Sequence, residues 1–385
     1  KQKFRHVLKE LDQQDLSHHD HRCELCDRAI DEKYTTCNVC HEALNISDAL
    51  SSHHNMTASF VFSDEDNDKE SITFKGLGYI RFTMPVAYQE NAYYITYNDS
   101  VIGETKYYAN VFASGKSFSE IAQKSEGDPK LFVLKMDVDS LGMIFLRSIE
   151  NHPLRYLKYS VLSRMLDFFF TNHLAIICSK EIYQNSIYIS YAGGDDLVII
   201  GPASKSLDLL EDINLSFKKY ISNHPHIHIS AGIEIFHHKS PFRQAVKFAD
   251  HHLDESKSVS GKDSFTLLNV TLRNDKISDV CQEINWFKEG YNRGIISKNL
   301  IQRLYQSLDE SLDYDNYVMN FYRYVPYLSY LIERNVQNHN KSEKQRLKRL
   351  FVTIDITEEK IKVYYIVLGM VLLSTRGANH KEEIA

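Results

Sequence analysis

The chain has 385 residues, 43% hydrophobic and 25% charged, with a net charge of −6. That is globular composition, long enough for two or three domains with cores of their own, and its acidic balance argues against a protein that coats nucleic acid with its whole surface. Six cysteines, four of them in one tight cluster, point to metal binding rather than to a secreted disulfide scaffold.

Residues 1–22 are polar with a short amphipathic pattern, Phe4, Val7, Leu8 and Leu11, which predicts a helix. Ser17-His18-His19-Asp20-His21 follows. A His-Asp pair can belong to a metal phosphohydrolase, but that chemistry needs further His and Asp residues on neighbouring helices, so the stretch reads as the flank of the next module. Next come Cys23-Glu24-Leu25-Cys26 and, ten residues on, Cys37-Asn38-Val39-Cys40. Two such knuckles put Cys23, Cys26, Cys37 and Cys40 within reach of one tetrahedral Zn²⁺. Four thiolates leave no open position, so the expected role is structural, with His21 or His41 as substitutes for one sulfur.

Residues 55–125 alternate as strands do at 59–62, 79–82 and 92–97, with an acidic loop at 63–70 and a short helix at 118–125. Ser125-Glu126-Gly127-Asp128-Pro129 breaks the chain. From Lys130 the pattern turns regular. A strand over 131–138 precedes a helix over about 154–177, whose expected apolar face is Leu157, Val161, Met165, Phe168 and Phe169. A hairpin follows, Ile187–Ile200, then a helix at 204–222, a strand at 227–236, a helix at 242–258 and a strand at 264–268. The first six of these elements are in the ferredoxin-like split order found in nucleotidyl-transferring palm domains. Residues 277–385 carry heptad-like apolar spacing and predict four or five helices, one with the basic run Lys341–Arg349, most simply a solvated face. The fold class expected is therefore α+β: a zinc-knuckle module with its flanking helix (1–54), a β-rich linker region (55–129), a ferredoxin-like palm (130–276) and an all-α C-terminal bundle (277–385).

The hairpin carries the chemistry. Gly193-Gly194 can turn the chain at positive φ, and Asp195-Asp196 follow at once. Adjacent acids at the head of a Val/Ile-rich strand repel each other unless a cation neutralises them. The strand 131–138 ends in Asp137-Val138-Asp139, and alternation points Asp137 and Asp139 the same way. In the split order this strand lies beside the hairpin, so both pairs of acids converge. Asp137 and Asp196 rank first as ligands, then Asp195, then Asp139, and the Val138 carbonyl is within reach. Hard oxygen donors favour Mg²⁺ or Mn²⁺ and hence phosphate chemistry. Lys257 at a helix end and Lys262 after Gly261 are candidate triphosphate contacts.

Gly193-Gly194-Asp195-Asp196, with Asp137-Val138-Asp139-Ser140-Leu141-Gly142 before it and Ala249-Asp250, Lys257 and Gly261-Lys262 after it, resembles the GGDD palm domain of the large subunit of type III CRISPR effector complexes, in its III-A (Csm-type) form. The resemblance implies a nucleotidyltransferase that polymerises ATP into cyclic oligoadenylates with 3′–5′ linkages when target RNA binds the guide-bearing complex. It implies Asp137, Asp195 and Asp196 as catalytic metal ligands and Lys257 as a triphosphate contact. The partners it implies are ATP, crRNA, target RNA and other effector subunits. In that family an HD nuclease domain and a first palm precede this one, and ATP lies between the palms. Neither is legible in residues 1–125, so the expectation is a C-terminal portion of a longer protein, poorly active alone. A diguanylate cyclase is the rival enzyme, but Asp196 stands where that motif commonly has Glu, and Leu197 where it has Phe. A non-catalytic palm that holds RNA and partners is the other rival. No apolar run approaches a membrane span, the best being Tyr364–Leu373, and no signal segment follows Lys1, so a cytoplasmic protein is expected.

Overall fold

The strand Lys130–Val138 (β5) lies inside a six-stranded sheet because both of its faces are apolar. Phe132, Leu134, Met136 and Val138 enter the larger core, while Leu131 and Val133 enter a smaller one on the opposite face. The computed structural model describes residues 22–23, 28–31, 33–38, 40–41 and 44, then 57–61, 72–74, 78–83 and 92–96. Beyond these it describes 117–149, 154–312, 317–337, 340–352 and 357–376. The helix expected in residues 1–22, the histidine stretch 18–21, Cys26 and the acidic loop 63–70 lie outside the described residues. Contacts divide the chain into two units, 1–108 and 109–385.

In the first unit, β1 (Thr57–Val61), β2 (Ile72–Phe74), β3 (Gly78–Thr83) and β4 (Ala92–Thr96) form an antiparallel sheet in the order β2-β3-β1-β4. The expected strands are there, joined by 72–74, too short to stand out in sequence.

The second unit begins with α1 (Phe118–Ala122), capped by a reciprocal Ser117–Glu120 box. After β5 come α2 (Leu141–Ile149), α3 (Arg155–Phe168), a π turn at Phe169–His173 and α4 (Leu174–Cys178). The hairpin β6 (Tyr188–Gly193) and β7 (Asp196–Pro202) leads to α5 (Ser206–Tyr220), β8 (Ile229–His237) and α6 (Phe242–Ser258). A second hairpin, β9 (Ser264–Leu267) and β10 (Val270–Arg273), closes the sheet, and β10 was not evident in the sequence. The sheet order is β10-β9-β8-β5-β7-β6, and its last four strands have the ferredoxin-like arrangement. β8 and β9 are parallel, as strands joined by a helical crossover must be.

Two expectations about the helix after β5 are corrected. Leu157, Val161, Met165 and Phe168 are 46–59% exposed; the side that packs is Leu166, Phe169, Phe170, Leu174 and Ile177. Both stripes have helical spacing, and the extra residue in the π turn lets Phe169 and Phe170 both bury beside Phe217. The segment Tyr156–Cys178 is also long and apolar enough by composition to cross a membrane, although its apolar residues form no unbroken run of that length. Its apolar character has a local cause, since its second half is core of the crossover between β5 and β6.

Six helices follow among the described residues: α7 (Ile277–Asn292), α8 (Lys298–Leu312), α9 (Tyr317–Tyr322), α10 (Val325–Asn335), α11 (Lys341–Phe351) and α12 (Glu358–Thr375). α12 is buried along most of its length, and the core runs unbroken from the sheet into these helices. Part of the basic run on α11 is taken up by ion pairs to neighbouring helices, while Lys341 and Arg349 stay exposed. Lys344 and Lys348 pair with Glu333, while Arg346 pairs with Glu283 and lies 4.2 Å from the centre of the Trp286 ring.

Candidate active site

Asp137 on β5 sits directly opposite Asp196 on β7 and Ser230 on β8. Residues directly opposed in an antiparallel ladder point to the same face. That face is the one covered by α6, which pairs its Asp250 with Lys135 and its Lys257 with Asp137. Gly193 pairs with Asp196, so Gly194 and Asp195 are the two turn residues, and Gly194 takes φ +67°. The Asp195 carbonyl accepts from the Val138 N–H at 3.0 Å, which ties the turn to the end of β5.

Asp195 thus leaves the strand alternation and joins Asp137 and Asp196. Burial pushes its carboxyl above the usual range, and repulsion from Asp137 and Asp196 adds to this, offset in part by Lys257. A position at which an acid resists ionising until a cation arrives suits a divalent metal. The donor chemistry of Asp137, Asp195 and Asp196, all hard carboxylate oxygens, suits Mg²⁺ or Mn²⁺.

Asp139 is placed differently from the expectation. It shares the face of Asp137, but it is 3% exposed, and its Oδ2 accepts from Ser230 Oγ at 2.9 Å and from the Asp263 N–H at 3.0 Å. Burial raises its pKa against those two hydrogen bonds. Asn274 bonds Asp263 Oδ1 at 2.9 Å and the Ile229 carbonyl at 2.7 Å, so the network holds the loop after α6. Lys262, in that loop at φ +50°, donates to Ser140 Oγ at 3.1 Å. Ser140, Lys262, His224, His228 and Arg273 line a cleft of about 740 Å³ beside Asp139.

Two residues at the turn were missed in the sequence. Tyr191 donates to Asp196 and, at 3.4 Å, to the Gly193 carbonyl; burial and the charges of Asp196, Asp195 and Asp167 push its ionisation up. Asp167 on α3 brings Oδ1 to 3.5 Å from the Gly194 N–H. Tyr191 was visible two residues ahead of the turn; Asp167 has no local signal, because only the packing of α3 brings it there.

In the first unit, sulfurs of Cys23, Cys37 and Cys40 lie within 4.8 Å of one another. The Cys23 N–H donates to the Arg28 carbonyl at 2.8 Å, and the Cys40 N–H to Cys37 Sγ at 3.4 Å. Cys26, the fourth expected ligand, lies outside the described residues.

A ferredoxin-like sheet with opposed carboxylates at the ends of its central strands defines a palm-type domain. Residues 130–266 match the family described as Cas10/Cmr2, second palm domain. Residues 130–266 thus carry a palm domain of this kind. The chain is 35% identical over 153 residues to a Methanocaldococcus jannaschii protein named CRISPR system single-strand-specific deoxyribonuclease Cas10/Csm1 (subtype III-A), covering 37% of this chain and 19% of that one. A Streptococcus thermophilus protein of the same name is 26% identical over 235 residues, covering 58% and 29%. The crystal structure of Csm1 in T. onnurineus superposes with a TM-score of 0.64 at 19% identity, over 84% of this chain and 49% of that chain. A Csm1–Csm4 cassette in complex with cA4 superposes at 0.63 and 19%, over 86% and 50%. The chain thus spans about half the length of these solved structures and under a third of the curated relatives.

Proposed function

We propose that this chain supplies the nucleotidyl-transferring palm of a type III effector large subunit, which polymerises ATP into cyclic oligoadenylate with 3′–5′ linkages when the complex engages target RNA. The observation that carries the reading is the register of Asp137 against Asp196, with Asp195 folded in beside them and Lys257 at Asp137. The solved relatives named as Csm1–Csm4 cassettes with pppApApA and with cA4 point to the same substrate class.

Asp137, Asp195, Asp196 and the Val138 carbonyl would hold Mg²⁺ or Mn²⁺. Such ions, when bound, lower the pKa of an attacking 3′-hydroxyl and neutralise charge on the departing pyrophosphate. Gly194 leaves open space where a side chain would stand, so phosphate can approach the turn backbone beside Gly193. Lys257, now paired with Asp137, would exchange it for a triphosphate oxygen, and Lys262, now bonded to Ser140, would contact phosphate. Asp139 braces the loop that carries Lys262. Cys23, Cys26, Cys37 and Cys40 hold a structural Zn²⁺. crRNA, target RNA and a Csm4-type subunit are the partners. The nuclease named for the relatives is a property of those proteins, and the aligned residues here are those of the palm.

The test is the assembled complex with Asp195→Ala and Asp196→Ala, given labelled ATP or GTP and target RNA, with products separated by chromatography. The expected result is a fall in oligoadenylate of about 10²-fold or more. Undiminished synthesis would overturn the catalytic assignment, and products from GTP alone would favour the diguanylate reading. The isolated chain is expected to bind ATP and Mg²⁺ but to make little cyclic product.

A further inference from the structure

The outer end of α6 bears a cluster that the palm chemistry does not use. One ligand atom from each of His251, His252 and Glu255 lies within 4.8 Å of the other two. Positions 251 and 255 are four apart and 252 and 255 three apart, so all three side chains meet on one side of the helix. The two oxygens of Glu255 face different rings: Oε2 is 3.2 Å from His252 Nδ1, and Oε1 is 3.7 Å from His251 Nδ1. We propose that His251, His252 and Glu255 form a binding site for a first-row transition ion of the Zn²⁺ class, separate from the palm carboxylates.

The second observation is behind the cluster. His252 is 4% exposed, and its other nitrogen, Nε2, stands 3.1 Å from Glu234 Oε2 on β8. A carboxylate on the far nitrogen of an imidazole fixes the ring and its tautomer, the arrangement that supports metal-ligating histidines. With Nε2–H donated to Glu234, Nδ1 is directed at the space shared with Glu255 and the exposed His251. Two imidazole nitrogens and one carboxylate oxygen suit Zn²⁺ and its neighbours, whereas Mg²⁺ prefers oxygen ligands and water. The ion takes the place of the proton that Nδ1 otherwise donates to Glu255, so one proton leaves for each ion bound. Water fills the position that three protein ligands leave open.

The site belongs to the same helix as Lys257 but not to the same surface. Ser256 turns inward and donates to the Ala231 carbonyl at 2.6 Å, and Lys257 reaches Asp137, while His251 faces solvent. Ion binding at 251–255 therefore stiffens the turn of α6 just before Lys257, which His252 ties to Glu234 on β8.

The experiment is Zn²⁺ uptake by the purified full chain at neutral pH, measured by equilibrium dialysis in the presence of excess Mg²⁺. Wild type is compared with His251→Ala, Glu255→Gln and Glu234→Gln, and ¹¹³Cd NMR separates nitrogen- and oxygen-bound ions from thiolate-bound ones. The expected result is one equivalent fewer for His251→Ala, with loss of the nitrogen/oxygen-type cadmium signal and retention of the thiolate-type one. Glu234→Gln is expected to weaken that equivalent by roughly 10–100-fold. His251 is exposed, so its replacement leaves the fold intact. Equal uptake and equal affinity in wild type and His251→Ala would overturn the site.

Discussion

Lys257, on the last turn of α6, forms an ion pair with Asp137, one residue from the end of β5. One ammonium thus serves a site with three carboxylates, and it occupies the position a cation would take on Asp137. In the function proposed above, metal and lysine compete for the same oxygen, so the pair would hold α6 against the sheet before nucleotide arrives and release Lys257 towards phosphate afterwards.

Lys257→Ala should therefore move two measurements in opposite directions. Mn²⁺ binding without nucleotide, followed by electron paramagnetic resonance, is expected to tighten about two- to fivefold, the effect of losing a partly exposed pair worth roughly 0.4–1 kcal/mol. ATP-dependent synthesis by the assembled complex is expected to fall about tenfold or more, since a charge-assisted phosphate contact is lost. A parallel fall in both would mean that Lys257 only supports the fold.

Gly232 on β8 sets how closely α6 approaches the sheet. A Cβ there would strike the backbone of Ala249, His252 and Leu253, atoms that cannot swing aside as a side chain can. Gly232→Ala is expected to destabilise the second unit by about 1–3 kcal/mol, or more if α6 cannot shift. Urea unfolding monitored at Trp286 measures this, and a stability within error of wild type would contradict the close packing.

The distinction between what the sequence disclosed and what it concealed is physical. The facing of Asp137 and Asp196 was legible because acids at the ends of apolar strands violate the local pattern, and strand order then sets them opposite each other. The same alternation correctly placed Asp139 on the face of Asp137, but it could not reveal that Ser230 and Asp263 would occupy its oxygen. Those partners lie 91 and 124 residues away. The exposed stripe on α3 misled for a related reason, since periodicity marks an amphipathic face without saying what covers it. β10 was hidden because the tight turn before it, Leu268-Asn269, takes positive φ without a glycine to mark it.

Asp139→Ala tests the bracing role. It strands the Ser230 hydroxyl and the Asp263 N–H in a buried site, at a cost of about 1–3 kcal/mol. Asp139→Asn keeps an acceptor oxygen and, lacking the charge that burial disfavours, should cost less. Thermal unfolding of both variants gives the order. Equal losses for the two would mean that the charge, not the acceptor, holds the loop.

Glu333 on α10 accepts from Lys344 at 2.7 Å and pairs with Lys348, and it thereby ties α10 to α11. These hydrogen bonds, Lys344 first, pull its carboxyl down to about 2 from an ordinary 4.5. An acid whose folded pKa is depressed stabilises the fold above its unfolded pKa, and that contribution is lost as pH falls through the folded value. Glu333→Gln should therefore lower Tm at neutral pH, with the gap to wild type narrowing as pH falls from 4.5 to about 2. Added salt should also narrow the gap, because Glu333 and Lys348 are open to solvent. Differential scanning calorimetry across that range reads the outcome directly. A gap that stays constant with pH would assign the loss to packing of the side chain rather than to its charge.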